Sequence, residues 1–397
     1  MPPIRSAGSA ALLFSMVLLL SACQDPSGVG LELIGEEGQD PNVVVLAADT
    51  VMIGEADEIT GGFADGSSPA QERVLVGAVT DLLFGDASAE AYFDVGPPAT
   101  IPNGFRDRTI TSATLRLSRD YVYGDSMQTL SLALYQMADD WDPTGAKADT
   151  SFEVGALLDT FEIAAADTLL ELDLPASWVN ANDEFLRSDT VLTAVDGFQL
   201  RLADGAMTNA VIGFAMPDSE LRLTTAEDTV SYALREVFTH TERGEAPAPP
   251  PDLLFVRDGT PEVAALTFDY DNLEGLALAR GLIRLTIAPD AVESSSSFAR
   301  PLPQTLALFG ITEDDARFGI TTATLDEDTN SYTFANTSLT SILQDVLLGN
   351  PLFVRFEMEA TASPVSLGVL PLVLGPAPAE GEPDPRPRAA LTVIPVN

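Results

Sequence analysis

Asp140, Trp141 and Asp142 place a tryptophan between two acids, a combination that could bind a ligand. An indole face stacks on the apolar face of a sugar ring, and neighbouring carboxylates can accept hydrogen bonds from sugar hydroxyls. This segment is therefore a candidate ligand-binding platform. The alternative interpretation is that Trp141 anchors the hydrophobic core beneath a loop.

A second segment, 268–275, carries oxygen-bearing side chains at short spacing. Asp269, Asp271 and Asn272 could hold calcium, which prefers carboxylate and carbonyl oxygens. The segment departs from the EF-hand pattern where a further ligand and a glycine belong. A solvated acidic turn is the alternative, as it is for Glu313–Asp315. No cofactor other than calcium is predicted.

The chain has one cysteine and one histidine. Cys23 alone can form no intramolecular disulfide and no cysteine-ligated zinc or iron–sulfur site. His240 alone excludes multi-histidine metal sites and leaves little room for Ser-His-Asp catalysis, so we interpret it as a strand-end residue. An enzyme would have to use a pair of carboxylates, as glycoside hydrolases do. No such pair stands out by its spacing, and we predict a non-catalytic protein.

Cys23 stands where a lipidation site would stand. It follows a short polar stretch and the apolar run Ala10–Leu20, which is too short to cross a hydrocarbon core of ~30 Å and predicts a signal peptide. A plain secretory signal with a chance cysteine is the alternative. Gln24, in place of aspartate, favours the outer membrane or cell surface, and a periplasm-facing orientation stays open. The residues before the cysteine resemble a lipobox: Leu20, Ser21 and Ala22.

The formal net charge of the 397-residue chain is -40, with 60 acidic and 20 basic side chains. A chain this acidic repels phosphates, so nucleic acid is not an expected partner. Hydrophobic residues make up 46% of the sequence, which is enough to build hydrophobic cores. The expected partners are membrane lipid through Cys23 and a glycan or an envelope protein.

The sequence segments that position these residues have the pattern of β-strands. Thr114–Arg119, Gln199–Leu202 and Glu220–Thr224 alternate apolar and polar residues, which puts one face on a core and the other in water. Short strands separated by Gly, Pro and Asp turns indicate sandwiches. We predict an all-β protein with two tandem β-sandwich, jelly-roll-like domains and short helical insertions.

Composition divides the chain into five parts. The Gly- and acid-rich segment after the cysteine reads as a flexible tether with a reach of roughly 25 Å. The consecutive prolines near residue 250 cannot lie inside a sheet and indicate a semi-rigid linker. The predicted parts are a signal peptide at 1–22, the lipidated cysteine and tether at 23–42, a first sandwich at 43–244, a linker at 245–251 and a second sandwich at 252–397.

The two halves share a series of similar segments in the same order. Ala113–Leu117 followed by Gln128–Leu134 corresponds to Gly281–Leu285 followed by Gln304–Phe309. The series continues through a strand and short helix in each half, which suggests a duplicated sandwich. The alternative is that any two strand-rich domains can be aligned by eye.

Two family resemblances follow from the residues. Ile110–Leu115, a strand ending in Tyr135, and Asp139-Asp140-Trp141 resemble the DNRLRE-type jelly-roll domain of exported bacterial proteins over roughly 105–225, and some relatives bind polysaccharide. A second set is similar to a family of exported lipoproteins of unknown function, and implies a surface lipoprotein without a reaction. That set comprises Gly30–Ile34, Leu75–Gly77, Asp81, Phe84-Gly85, Ala89 and Tyr92-Phe93.

Three functions are compatible with these features. The first is a membrane-anchored envelope or surface lipoprotein that acts as a non-catalytic binding module, with a glycan as the candidate ligand. The second is a structural or assembly lipoprotein with a protein partner. The third is a polysaccharide-active enzyme that depends on carboxylates.

Overall fold

The structure is a computed structural model. The structure describes residues 44–47, 50–55, 72–98, 100–102, 104–143, 146, 149–188, 195–248, 253–258, 262–270, 273, 275–288, 295, 297–360, 365–373 and 390–395. Within these ranges it describes only the backbone of residues 44–55, 97, 390 and 391.

The first domain is built on one large antiparallel sheet. Its strands run in the order β8-β5-β10-β11-β4-β9-β6-β7, and β3 pairs with both β10 and β4. One α-helix, α1 (Ala176–Leu186), follows β8. The strands are β3 (Arg73–Asp81), β4 (Gly85–Pro98), β5 (Ser112–Asp125), β6 (Thr129–Met137), β7 (Val154–Ala164), β8 (Leu169–Asp173), β9 (Phe198–Leu202), β10 (Ala210–Thr224) and β11 (Thr229–Arg243), and a 3-10 helix spans Phe105–Asp107.

The second domain contains a nine-stranded antiparallel sheet in the order β1-β21-β14-β18-β17-β16-β19-β13-β2 and a separate pair, β12-β20. Its helix, α2 (Thr337–Leu347), follows β18. The strands are β1 (Val44–Ala47), β2 (Thr50–Glu55), β12 (Leu253–Arg257), β13 (Glu262–Thr267), β14 (Leu278–Thr286), β15 (Phe298–Ala299), β16 (Thr305–Ile311), β17 (Arg317–Asp326), β18 (Ser331–Phe334), β19 (Arg355–Ala360), β20 (Val369–Val373) and β21 (Ala390–Pro395).

The nine-stranded sheet is strongly curled. Its two outer strands, β1 and β2, are separated by only residues 48 and 49, so the ends that they join lie within about 11 Å of each other. The sheet therefore folds over on itself and encloses a core. The predicted all-β class, with sandwich-like domains and short helical insertions, is confirmed.

The first predicted domain boundary needs a correction. The prediction begins the first sandwich at residue 43, but β1 pairs with β21 and β2 pairs with β13, and both partners belong to the second domain. The reason is that β21 and β13 would otherwise expose unpaired backbone groups at the edges of the curled sheet. The second domain is thus built from both ends of the chain. In the other direction, β15 pairs with β5 of the first domain.

The two domains repeat one pattern of strand pairing. β5 lies between β8 and β10 as β14 lies between β18 and β21, and β6 lies between β7 and β9 as β16 lies between β17 and β19. A helix follows β8 and β18 alike. In the first domain β11 pairs with both β10 and β4, and in the second domain β1 and β2 together take that position. This shared order agrees with the duplication that the sequence suggests.

Each domain buries its own core. The alternating segments behave as predicted, since Leu115, Leu117 and Leu200 have no exposed surface. α2 buries Leu339, Leu343 and Leu347, which are spaced by one turn and lie on one face of the helix. Among the described residues no helix is long and apolar enough to cross a membrane.

A bulge in β5 turns part of the first sheet toward the second domain. The register with β10 slips between Arg119 and Tyr121, so Asp120 is the extra residue. Before the bulge, odd-numbered residues face the first core; after it, Tyr121 and Tyr123 face outward. There they join a separate apolar cluster that includes Val365 and Leu367 of the second domain. This part of the sheet is therefore buried on both faces, and the domains share an apolar interface.

Candidate functional site at the domain junction

Trp141, the predicted sugar platform, is buried, with 7% of its surface exposed. Its ring lies 5.0 Å from the ring of Phe152 and 6.0 Å from that of Tyr92, centroid to centroid. The indole Nε1 donates a hydrogen bond to the carbonyl oxygen of Asp196 at 2.9 Å. Since stacking on a sugar requires an open ring face, this geometry supports the alternative, in which Trp141 anchors the core beneath a loop.

The acids beside Trp141 are exposed. Asp140 and Asp142 lie on the surface of the loop. Burial raises the pKa of the nearby Asp196 carboxyl, and the negative charges of Asp140 and Asp139 raise it further. Among the described residues no group of three or more His, Cys, Asp or Glu side chains is placed to hold a metal ion.

The other predicted positions fall in different parts of the chain. Asp269 is exposed, while Asp271 and Asn272 lie outside the described residues, as do Cys23, the lipobox and the tether. His240 lies within β11, where its Nδ1 is 3.0 Å from the carbonyl oxygen of Thr150. Of these residues only Asp269 and His240 are described, and they lie in different domains.

A cavity of about 300 Å³ lies instead at the junction between the domains. The residues that line it come from five separate stretches of sequence. One stretch is Asp120-Tyr121, which the bulge in β5 turns toward the cavity. The lining is about half polar and half apolar. The lining residues are Arg73, Asp120, Tyr121, Asp258, Pro301, Leu302, Pro303, Gln304, Thr305 and Ser366.

The first-domain wall is an ion pair beside a tyrosine. The Arg73 guanidinium donates from Nε to both Asp120 oxygens at 2.8 and 2.9 Å, and from Nη2 to Oδ2 at 2.6 Å. The guanidinium carbon lies 5.0 Å from the centroid of the Tyr121 ring, within the range of a cation–π contact. Arg73 Nη1 also donates to the carbonyl oxygen of Val365 across the interface at 3.1 Å. These contacts fix the wall in one geometry.

The second-domain wall contains a buried carboxylate. Asp258 is 4% exposed and accepts a hydrogen bond from the Ser366 hydroxyl. Behind it lies Arg243 of the first domain, whose Nη2 donates to the carbonyl oxygens of Asp258 at 2.7 Å and Leu367 at 2.6 Å. Burial lowers the pKa of Arg243, while the charge of Asp258 opposes that shift.

A separate buried ion pair closes the junction nearby. Asp81 has a fully buried side chain that accepts from Arg300 Nε at 2.7 Å and from the Tyr123 hydroxyl at 3.1 Å. Because Arg300 belongs to the second domain and Asp81 to the first, this pair also holds the domains together. A shallower groove of about 480 Å³ runs beside it, between the turn after β3 and residues 245–248.

Hydrogen bonds hold both carboxylates of the cavity in place. Asp120 accepts three hydrogen bonds from Arg73, and Asp258 accepts one from the Ser366 hydroxyl. Both carboxylates therefore act as fixed hydrogen-bonding groups. Gln304 and Thr305 add side chains that can both donate and accept.

Comparisons of the chain with protein families, with curated proteins and with solved structures found no match. The two family resemblances seen in the sequence therefore stay predictions.

Sequence reasoning missed the cavity residues because no spacing links positions as distant as 73, 120, 258, 304 and 366. One signal was available. Leu75 and Tyr121 sit in short runs of consecutive large residues, Val74-Leu75-Val76 and Tyr121-Val122-Tyr123, and such runs indicate a strand that is buried on both faces.

Proposed function

We propose that this chain is a lipid-anchored, non-catalytic binding protein of the bacterial cell envelope, and that its interdomain cavity holds a small, neutral, hydroxyl-rich ligand such as the terminal sugar of a glycan. The observation that supports the ligand site is the cavity, with both polar and apolar lining, where the two domains meet. Small-molecule sites occur preferentially at domain interfaces, and a volume of about 300 Å³ is at the lower end of their range.

The charges around the cavity argue for a neutral ligand. Arg73 and Asp120 compensate each other in the first domain, and Arg243 lies close behind Asp258 at the opposite wall. A charged ligand would enter without a free counter-charge and would lose its hydration at a high free-energy cost. A neutral sugar would exchange hydrogen bonds with water for hydrogen bonds with the wall.

The envelope location rests on the sequence. The signal-peptide pattern and the lone Cys23 support acylation, and Gln24 supports transfer to the outer membrane or cell surface. Mass spectrometry of the protein purified from cell membranes tests this part. We expect an amino-terminal cysteine that carries acyl chains; an intact amino terminus, or an unmodified thiol, would refute it.

Calorimetric titration with a panel of neutral monosaccharides and oligosaccharides tests the ligand site. Gln304 is exposed at the cavity and can be replaced without opening a core, so Gln304→Ala should weaken binding by about fivefold to tenfold, the effect of one lost hydrogen bond. Gln128→Ala, on the hairpin between β5 and β6, is the matched control and should bind as the parent does.

The same experiment separates the alternatives. Equal binding by both glutamine variants would place the ligand elsewhere. Turnover of any oligosaccharide in the panel would favour a carboxylate-dependent hydrolase, and the absence of binding across the panel would favour a structural lipoprotein with a protein partner.

A further inference from the structure

Four large apolar side chains are exposed at one end of the second domain. Phe318, Leu348, Leu352 and Val354 have 52%, 56%, 59% and 54% of their surface exposed. Three of them belong to the seven-residue loop 348–354, which has no charged residue in a chain of net charge -40. An uncharged apolar loop on such an acidic protein is a feature that folding alone does not require.

Phe318, Leu352 and Val354 are grouped around Phe353 on a surface that is here called the apolar end. The ring of Phe318 lies 6.1 Å from that of Phe353, and the amide of Val354 donates to the carbonyl oxygen of Ile311 at 2.7 Å. Phe353 packs so closely over Gly310 that a Cβ atom there would lie 2.4 Å from its ring. The loop is therefore fixed against β16 and holds its neighbours Leu352 and Val354 outward.

The apolar end lies opposite the cavity. Thr305, the first residue of β16, lines the cavity, and Ile311, the last, contacts the apolar end. Seven residues of strand separate the two by about 20 Å.

β1 is directed away from the apolar end. Thr286 pairs with Ser331, which lies at the cavity end of the sheet, so the first residues of β14 lie at the apolar end. Gly281, near the middle of β14, pairs with Val393, and Val393 pairs with Val44, so the first residue of β1 lies about midway between the two ends. β1 runs from there toward the cavity.

We propose that the apolar end is a membrane-contact face that inserts into the surface of the lipid bilayer to which Cys23 is anchored. This inference rests on the lipid anchor of the proposed function. Twenty residues separate Cys23 from Val44, and a chain of that length spans at most about 70 Å. An anchored protein would therefore hold this end within reach of the lipid.

We take a bilayer, and not a protein partner, as the occupant of this face. The exposed side chains stand on a loop and a strand end, and lipid requires no complementary shape. Each apolar side chain that leaves water stabilises the contact, and the anchor removes most of the entropy cost of association.

A thiol-labelling experiment tests the contact. The mature chain from residue 23 with Cys23→Ser has no thiol, so Leu352→Cys supplies a single site for an environment-sensitive fluorophore. An amino-terminal histidine tag replaces the acyl chains and captures the protein on phosphatidylcholine vesicles that contain a nickel-chelating lipid. We expect the emission to shift to shorter wavelength on capture and spin-labelled lipid to quench it. Met207→Cys, at a first-domain side chain that is 91% exposed, is the control and should show neither change.

Two further measurements complete the test. Phe318→Ser with Val354→Ser should reduce the quenching of the label at position 352. Equal responses at positions 352 and 207 would overturn the proposal, as would sedimentation showing that this face joins two copies without vesicles. Because the tag replaces the acyl chains, failure here is distinct from a failure of acylation, and sugar titration reports separately on the cavity.

Discussion

Asp94 on β4 should make the stability of the first domain fall as pH rises. Its surface is 3% exposed, and burial raises its pKa from 3.8 to about 7. The amide of Val95 at 2.6 Å and the guanidinium of Arg235 at 3.2 Å lower the pKa, and the charge of Glu236 raises it. Burial dominates because one guanidinium and one amide do not replace the hydration that the carboxylate loses.

The sign follows from proton binding. Between about pH 4 and 7 the folded protein holds a proton on Asp94 that the unfolded chain releases, so the free energy of unfolding decreases as pH rises through this window. At about 1.4 kcal/mol per pKa unit, the rise to about 7 corresponds to a loss of about 4 kcal/mol. Below pH 4 both states are protonated and the contribution is fully present.

Asp94→Asn removes this titration. We expect the variant and the parent to have similar stability near pH 4, and the variant to become more stable by up to about 4 kcal/mol at pH 8. Urea unfolding followed by the fluorescence of Trp141 and Trp178 measures this, since both tryptophans lie in the first domain. Asp218→Asn, at an exposed carboxylate, is the control. A stability difference for Asp94→Asn that stays constant between pH 4 and 8 would refute the reasoning.

Three further changes test the packing. Trp141→Ala should destabilise the first domain by about 3–5 kcal/mol, because it opens a cavity among aromatic rings, and a small loss in thermal denaturation would contradict the core assignment. Gly213→Ala should cost about 1–3 kcal/mol, since its Cβ would lie 2.8 Å from atoms of Leu75 and Tyr121; urea unfolding checks this, and an unchanged midpoint would disprove it. Arg243→Met should split unfolding into two calorimetric transitions, because it removes donors to second-domain carbonyls, and one cooperative transition would show that the junction does not depend on this residue.

Local sequence patterns predicted the elements well, because burial of one strand face leaves a period of two in the chain. In β5, Leu115 and Leu117 are fully buried while Thr114 and Arg116 between them are not. The same logic explains why β1 and β2 were assigned to the wrong domain. Alternation shows that a segment is a strand, but the partner of that strand is decided by which sheet edge is left unpaired elsewhere in the fold.

The cavity could not be predicted, since its residues meet only when the two domains pack together. Asp120 reaches it because one extra residue in β5 changes the face on which Tyr121 lies, and alternation alone does not reveal a bulge of this kind. For Trp141 the sequence left two interpretations open. Its acidic neighbours fit a ligand platform or a core anchor beneath a loop, and the buried indole beside the exposed Asp140 favours the anchor.

The strand order determines how the cavity and the apolar end lie relative to the chain that leads to Cys23. Because β1 and β2 complete the second domain, the chain that leads to Cys23 joins that domain and not the first. A bilayer that contacts the apolar end would therefore lie beneath the second domain, and β16 would raise the cavity about 20 Å above it. The buried pair of Asp81 and Arg300 then matters for function, since it holds the first domain in the position that forms the other wall of the cavity. Asp81→Asn should consequently weaken sugar binding while leaving vesicle contact at position 352 unchanged. Loss of both together would show that the two ends of the second domain are not independent.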